Sequence, residues 1–204
     1  MDAFCSDAYQ IKIGNVEKLQ LNHIDQYEIR VPPKKKVEFI KDIFDTCTLT
    51  QAIIFINTKD FCEKVHNLLR QSGYKSTIIF GEMSKEERDE MMRKFRNGEV
   101  NVIITTNLLA RGVDVPELEI VVNFDIPIIR NAKGEKIGDP ENYMHRIGRT
   151  GRFGTRGMAV NLYDRDEDKI YLDQIMEHYS MASKLKKLDG PEHLKKVFDS
   201  LHEL

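Results

Sequence analysis

Three features are missing or scarce in this chain of 204 residues, and each removes a class of function. No window approaches the roughly 18 consecutive apolar residues that a membrane-spanning helix needs. The N-terminus also lacks the basic-then-apolar pattern of a secretory signal, so the expectation is a soluble, intracellular protein with no membrane insertion. Cysteine is scarce: Cys5, Cys47 and Cys62, at irregular spacing, form no disulfide framework and suit a reducing compartment. Cys62 and His66 stand four apart on a predicted helix, which is metal-ligand spacing, but no second pair accompanies them and no metal site is expected. Net charge is scarce too, with 31 Lys and Arg against 33 Asp and Glu, a balance of −2. A general nucleic-acid binder usually carries a global basic excess; binding of that kind must here come from a local patch. The length suits one sizeable core.

What is present is an alternation of two periodicities. Residues 1–22 lack either and read as a linker or lead-in to a domain spanning 23–204. Ile24 to Val31 alternates in the manner of a strand, and Pro32-Pro33 stops it. Val37, Ile40 and Phe44 recur at helical spacing. Ala52-Ile-Ile-Phe-Ile56 is a continuous apolar run, the mark of a strand covered on both faces. Lys59 to Gln71 is helical, Ser76 to Phe80 a strand, and Ser84-Lys-Glu-Glu87 matches a capping box opening a helix that closes at Asn97-Gly98. Val100 to Thr106 and Ile120 to Phe124 are buried strands. Residues 126–139 read as a polar loop, and Pro140 starts a helix carrying Tyr143 to Arg149. Met158 to Tyr163 is a strand, Asp166 opens a helix with Leu172, Ile175, Met176 and Tyr179 on its apolar stripe, and a last helix runs from Pro191. Strands alternating with helices predict one α/β domain, a mainly parallel sheet wrapped on both faces. Ligands of such sheets sit beyond the carboxyl ends of the strands, where Asn57-Thr58, Gly81, Thr105-Thr106 and the segment after Phe124 fall.

The local basic patch runs from His145 to Gly157, with Arg146, Arg149, Arg152 and Arg156 and no acidic residue. Guanidinium groups grip phosphate oxygens through a rigid fork of donors, and interleaved glycines let backbone approach a ligand. By composition alone the same stretch is equally a solvated basic turn. Thr105-Thr106-Asn-Leu-Leu-Ala-Arg111-Gly112-Val-Asp114 leaves a buried strand with hydroxyls and an arginine suited to phosphates and a carboxylate suited to ribose. An ordinary strand-to-helix turn, with Asp114 capping and Gly112 bending, explains it as well. Asp166-Glu-Asp168 is read as the acidic first turn of a helix rather than a metal cluster. The phosphate loop G-x-x-x-x-G-K-[ST] is absent, as is an acidic pair ending a buried strand to hold Mg²⁺. The chain carries arginines fit for a phosphoryl group without the parts that bind most of a nucleotide.

At these residues the chain resembles the DEAD-box RNA helicases. His145-Arg-Ile-Gly-Arg-Thr-Gly-Arg152 looks like their motif VI, Thr106 to Asp114 is similar to motif V, and Ile54-Phe-Ile-Asn-Thr58 to motif IV. Gly81-Glu-Met-Ser-Lys-Glu-Glu-Arg88 resembles the segment that follows motif IV. The match covers roughly residues 24–180 and only the second of the family's two RecA-like lobes. It implies a RecA-like fold and an ATP-dependent clamp that separates RNA strands locally, with ATP and RNA bound between the lobes. The N-terminal lobe, absent from this chain, would hold most of the Mg²⁺–ATP, and the fragment alone would be inactive.

Carried over onto this sequence, Arg149 and Arg152 would reach the γ-phosphate as arginine fingers. Asp114, helped by Gly112, would meet the ribose. His145 and Arg146 would lock the lobes together and couple RNA to ATP. Thr58, Gly81, Arg88, Thr106 and Arg111 would contact the sugar-phosphate backbone of single-stranded RNA. Two departures from the family pattern, Lys85 where Gln is common and Phe80 where His is frequent, fall near Arg88. The Gly81-Glu-Met start and the long segment 126–140 resemble the branch that remodels messenger RNA–protein particles at the nuclear pore. That branch implies mRNA export, a cytoplasmic and nuclear location with docking at the cytoplasmic face of the pore, and a monomer. It also implies a helical-repeat activator bridged by inositol hexakisphosphate and a nucleoporin partner. The competing expectation is a stand-alone, non-catalytic RNA- or protein-binding module.

Overall fold

The computed structural model describes residues 23–47, 49, 51–106, 118–151 and 156–202. The lead-in 1–22 lies outside them. Strands β1 (Ile24–Arg30), β2 (Ala52–Phe55), β3 (Ser76–Ile79), β4 (Val102–Thr105), β5 (Ile120–Asn123), β8 (Gly157–Tyr163) and β9 (Leu185–Lys187) form one sheet in the order β3-β4-β2-β5-β8-β1-β9. Every neighbouring pair is parallel. Between them run α1 (Lys36–Thr46), α2 (Lys59–Gln71), α3 (Lys85–Arg96), α4 (Pro140–Ile147), α5 (Asp166–His178) and α6 (Pro191–His202).

The central strands are apolar on both sides because helices cover both faces. Ala52 and Ile54 of β2 enter a core shared with Phe39, Ile40 and Ile43 of α1, Val65 and Leu69 of α2, and Leu194 and Phe198 of α6. Ile53 and Phe55, pointing the opposite way, pack with Met92 and Phe95 of α3. Farther along that second face, Tyr143 and Ile147 of α4 and Leu172, Ile175 and Met176 of α5 form a third cluster. The capping box at α3 is present, Ser84 Oγ accepting from Glu87 N at 3.1 Å and Glu87 Oε2 from Ser84 N at 2.9 Å.

Four local expectations change. Residues 126–139 are not a featureless loop. They hold an antiparallel hairpin, β6 (Ile128–Arg130) and β7 (Lys136–Gly138), whose turn is closed by Asn131 Oδ1 accepting from Lys133 N and Glu135 N. Three-residue strands are too short to show a period in the sequence. Gly138 is where the hairpin meets α5: a Cβ there would strike the Tyr171 carbonyl oxygen. The helix from Pro140 stops at Ile147 rather than Arg149, with Gly148 as its cap and Gly148 N donating to Met144 O at 2.8 Å. Val102, rather than Val100, begins β4. Finally, β9 was not anticipated, because two of its three residues are exposed lysines on the sheet edge.

Candidate functional site

One transverse row of the sheet, Ile79–Thr105–Phe55–Asn123–Asn161–Glu28, is in register across six strands. Just past it the chain leaves β3, β4, β2 and β5, so Gly81, Thr106, Asn57-Thr58 and Asp125 are delivered to one edge by neighbouring strands. Thr58, Gly81 and Thr106, distant in sequence, thus come from three adjacent strand ends. Thr58 is exposed at the N-cap of α2 and makes no capping bond with its side chain. Thr106 is buried, and its Oγ1 has no hydrogen-bond partner among the described residues. Thr105 Oγ1 is instead spent on the Ile79 carbonyl at 2.7 Å. Arg88 is half-buried in the first turns of α3, its N–H bonded to Ser84 O.

Two of these strand ends are joined by an ion pair that the sequence did not signal. Lys59, beside Thr58, pairs with Glu82, beside Gly81, and its ammonium lies 5.7 Å from the Phe80 ring. The bond from Lys59 holds the Glu82 carboxyl below the usual range. Phe80, the departure noted above, thus serves as a platform under a cation.

The arginines divide by burial. Arg146 is wholly enclosed, its guanidinium 5.2 Å from the Phe55 ring. It donates to Asn57 Oδ1 at 2.8 Å, to the Asp125 carbonyl at 2.7 Å and to Asn123 Oδ1 at 3.1 Å. Burial lowers its pKa to about 9, opposed by the nearby charges of Asp125 and Asp139, and it remains a cation at neutral pH. Arg146, expected with His145 to help lock the lobes together, has no exposed surface in this domain and its guanidinium ends on Asn57 and Asp125. His145 and Arg149, by contrast, lie on the partly exposed side of the same segment. Arg149 Nε donates to the His145 carbonyl at 3.3 Å, and His145 Nδ1 is buried without a partner among the described residues. Arg111, Gly112, Asp114 and Arg152 lie outside the described residues.

A further residue escaped the sequence reading. Lys36, at the end of Lys34-Lys35-Lys36, is only 4% exposed. Its Nζ donates to the Phe124 carbonyl at 2.7 Å and lies 3.7 Å from both Asp125 and Asp164. Burial, reinforced by a hydrogen bond with Asp168, raises the Asp164 carboxyl. Asp125 also accepts from Asn57 N at 2.9 Å, so Lys36, Asp125, Asn57 and Arg146 are one connected group. Cys62 is sealed in the core, burial pushing its thiol up to about 12, while His66 Nδ1 contacts Ser76 Oγ at 2.9 Å. Among the described residues no group of three or more His, Cys, Asp or Glu could hold a metal ion. The side chains at this edge are hydroxyl, imidazole and guanidinium, a set that suits phosphate oxygens rather than a divalent cation.

Residues 35–154 match the helicase conserved C-terminal domain family. Eukaryotic initiation factor 4A-1 of Arabidopsis thaliana is 37% identical over 167 residues, covering 81% of this chain and 38% of that protein. The ATP-dependent RNA helicase FAL1 of Meyerozyma guilliermondii is 37% identical over 178 residues, covering 87% of this chain and 42% of that protein. The chain therefore spans less than half the length of these curated relatives. Among solved structures, S. cerevisiae Dbp5 bound to RNA and ADP BeF3 superposes with a TM-score of 0.77 at 31% identity, covering 88% of this chain and 45% of that one. The C-terminal domain of the DEAD-box protein Dbp5 gives 0.76 at 31% identity, covering 88% of this chain and 99% of that domain. S. cerevisiae Dbp5 L327V bound to Nup159, Gle1 H337R, IP6 and ADP gives 0.75 at 27% identity, covering 90% and 47%. The seven-stranded parallel sheet flanked by helices is the RecA-like α/β fold of these domains. The chain belongs to the helicase conserved C-terminal domain family and is homologous to the DEAD-box RNA helicases.

Proposed function

We propose that this chain is the C-terminal lobe of a two-lobe, RNA-dependent ATPase that clamps single-stranded RNA and remodels RNA–protein complexes. The observation that carries this reading is the split between Arg146, enclosed and structural, and Arg149, half-exposed just past the same helix. A segment that buries one arginine in a helix and leaves the next half-exposed just past the helix end is suited to delivering a guanidinium to a phosphate held by a second body. ATP supplies the phosphoanhydride bond, with its Mg²⁺ held mainly by the N-terminal lobe. This chain's part is to place Arg149 and Arg152 against the γ-phosphate, Asp114 and Gly112 at the ribose, and His145 at the seam between lobes. Thr58, Gly81, Arg88, Thr106 and Arg111 hold the RNA backbone, which carries no base code, so binding is largely sequence-independent. A finger delivered across an interface is worth about 10³–10⁵ in rate, roughly 4–7 kcal/mol, and acts only when the lobes close. Hydrolysis thereby depends on RNA.

We further assign the protein to mRNA export at the cytoplasmic face of the nuclear pore. The support is the likeness to Dbp5 structures, one of which contains Nup159, Gle1 and IP6, and the hairpin between β5 and α4 where a long segment was expected. The partners are then a helical-repeat activator bridged by inositol hexakisphosphate and a nucleoporin.

The test joins this chain to its ATP-binding lobe. Arg149→Ala and Arg152→Ala should each lower RNA-stimulated ATP turnover by at least about 10³-fold while RNA affinity without nucleotide stays unchanged. Turnover near the parent level in both variants would falsify the finger assignment. The chain alone should bind single-stranded RNA weakly, losing about 0.7 log units of affinity per phosphate contact for each tenfold rise in salt. Tight, salt-insensitive, sequence-selective binding favours the stand-alone module instead.

A further inference from the structure

The adjacent strands β5 and β8 each carry one buried amide, Asn123 and Asn161. They are direct register partners and both have no exposed surface. Asn161 Nδ2 donates to the Tyr27 carbonyl at 2.9 Å and lies 3.1 Å from Tyr143 Oη. Asn123 Nδ2 donates to Asn161 Oδ1 at 2.8 Å, which leaves Asn123 Oδ1 to accept from Arg146 at 3.1 Å. Tyr143 Oη in turn donates to Gln26 Oε1 at 2.9 Å. The direction of every bond follows from the first: a carbonyl can only accept, so Tyr27 orients the Asn161 amide, that amide orients Asn123, and Asn123 presents oxygen to the guanidinium.

Tyr143 and Arg146 are three residues apart on α4, hence on one face of an eight-residue helix. Both end on the same asparagine pair. A purely apolar contact allows a short helix to rotate or slide among similar packings, whereas a buried polar chain is satisfied in one register only. A slip of one turn would carry Arg149 about 5.4 Å along the axis.

We infer that the Asn123–Asn161 pair, acting through Tyr143 and Arg146, is the positioning device that sets α4 so that His145 and Arg149 meet the nucleotide. This rests on the assignment of Arg149 to the γ-phosphate. Neither asparagine touches substrate; both act through the helix.

The test uses the two-lobe protein and the double variant Asn123→Leu/Asn161→Leu. The double variant also takes an acceptor from Arg146 and a donor from the Tyr27 carbonyl, so its stability is measured beside its activity and the milder Tyr143→Phe separates a positioning role from a structural one. The expected result is a folded variant whose RNA-stimulated kcat falls by about 10²-fold, the scale of a misplaced catalytic group. RNA affinity in the presence of ADP–beryllium fluoride falls in step, while RNA affinity without nucleotide and the KM for ATP stay within about twofold. Tyr143→Phe, which removes one hydroxyl, shows the same pattern at smaller size. A folded double variant with parental kcat and parental closed-state affinity overturns the inference; if that variant does not fold, a parental Tyr143→Phe overturns it. Arg149→Ala is the control that separates the two readings. If it abolishes turnover while the asparagine variants remain active, only the positioning role fails. If it leaves turnover intact, the finger assignment fails and the positioning role falls with it.

Discussion

The two faces of the sheet are built on different principles. Toward α1, α2 and α6, the central strands present Ala52, Ile54, Ile120, Val122, Val160 and Leu162, all apolar. Toward α3, α4 and α5, β5 and β8 each break the apolar pattern with an asparagine, and α4 answers with a tyrosine and an arginine. Non-directional burial is enough to hold the first face together, since it scales with area and not with orientation. The second face carries the segment proposed to deliver Arg149, and there the contacts are directional. Buried polar groups add little net stability but are costly when left unpaired, so they exclude wrong registers more than they strengthen the right one.

This contrast can be broken or sharpened by substitution. The largest expected loss of stability is from Arg146→Met, which leaves Asn57 Oδ1, Asn123 Oδ1 and the Asp125 carbonyl without their donor. Removing one partner from a buried charged network costs about 3–5 kcal/mol, measurable by denaturant titration of this domain. Next comes Ile54→Ala on the apolar face, a fully buried side chain whose truncation costs about 2–5 kcal/mol, at the lower end if the surrounding helices close the space. An Arg146→Met domain as stable as the parent, beside an Ile54→Ala domain that is not, would show that the polar row does not bear on stability as argued.

The smallest effect concerns pH. Burial, with a contribution from Arg70, lowers the His66 pKa from its usual value of 6.5. The folded state therefore binds the proton less readily than the unfolded chain. The associated stability is fully present above pH 6.5 and is lost as pH falls through the lower folded-state value. Because the ring is partly solvated, the loss should be small. His66→Gln should flatten the stability profile in this acid window, and an unchanged slope would remove His66 from the account.

Much of the fold was legible from the chain alone, for a local reason. The run Ala52–Ile56, the capping box at Ser84 and the stripe Leu172–Ile175–Met176 each declare their element through neighbours within one or two turns. The strand-end placement of Thr58, Gly81 and Thr106 followed from the same periodicities. The hairpin was missed because three-residue strands show no period, and β9 because an edge strand of lysines looks like a loop. The enclosure of Lys36 has no signal in the sequence, because nothing near it there reveals that Phe124, Asp125 and Asp164 close around it.

By itself, then, the sequence determined the order of strands and helices, the two-sided burial of the sheet and the motifs that identify the family, since hydrophobic period and turn chemistry act between near neighbours. The tertiary structure decided which charges are interior and which are offered outward. Arg146 and Arg149 are three residues apart and indistinguishable in composition; only the packing of α4 on the sheet encloses one and leaves the other half-exposed. The partners that make the difference, Asn57, Asn123 and Asp125, come from the ends of β2 and β5, and a hydrogen bond between groups so far apart along the chain exists only once the sheet has brought them within about 3 Å of each other.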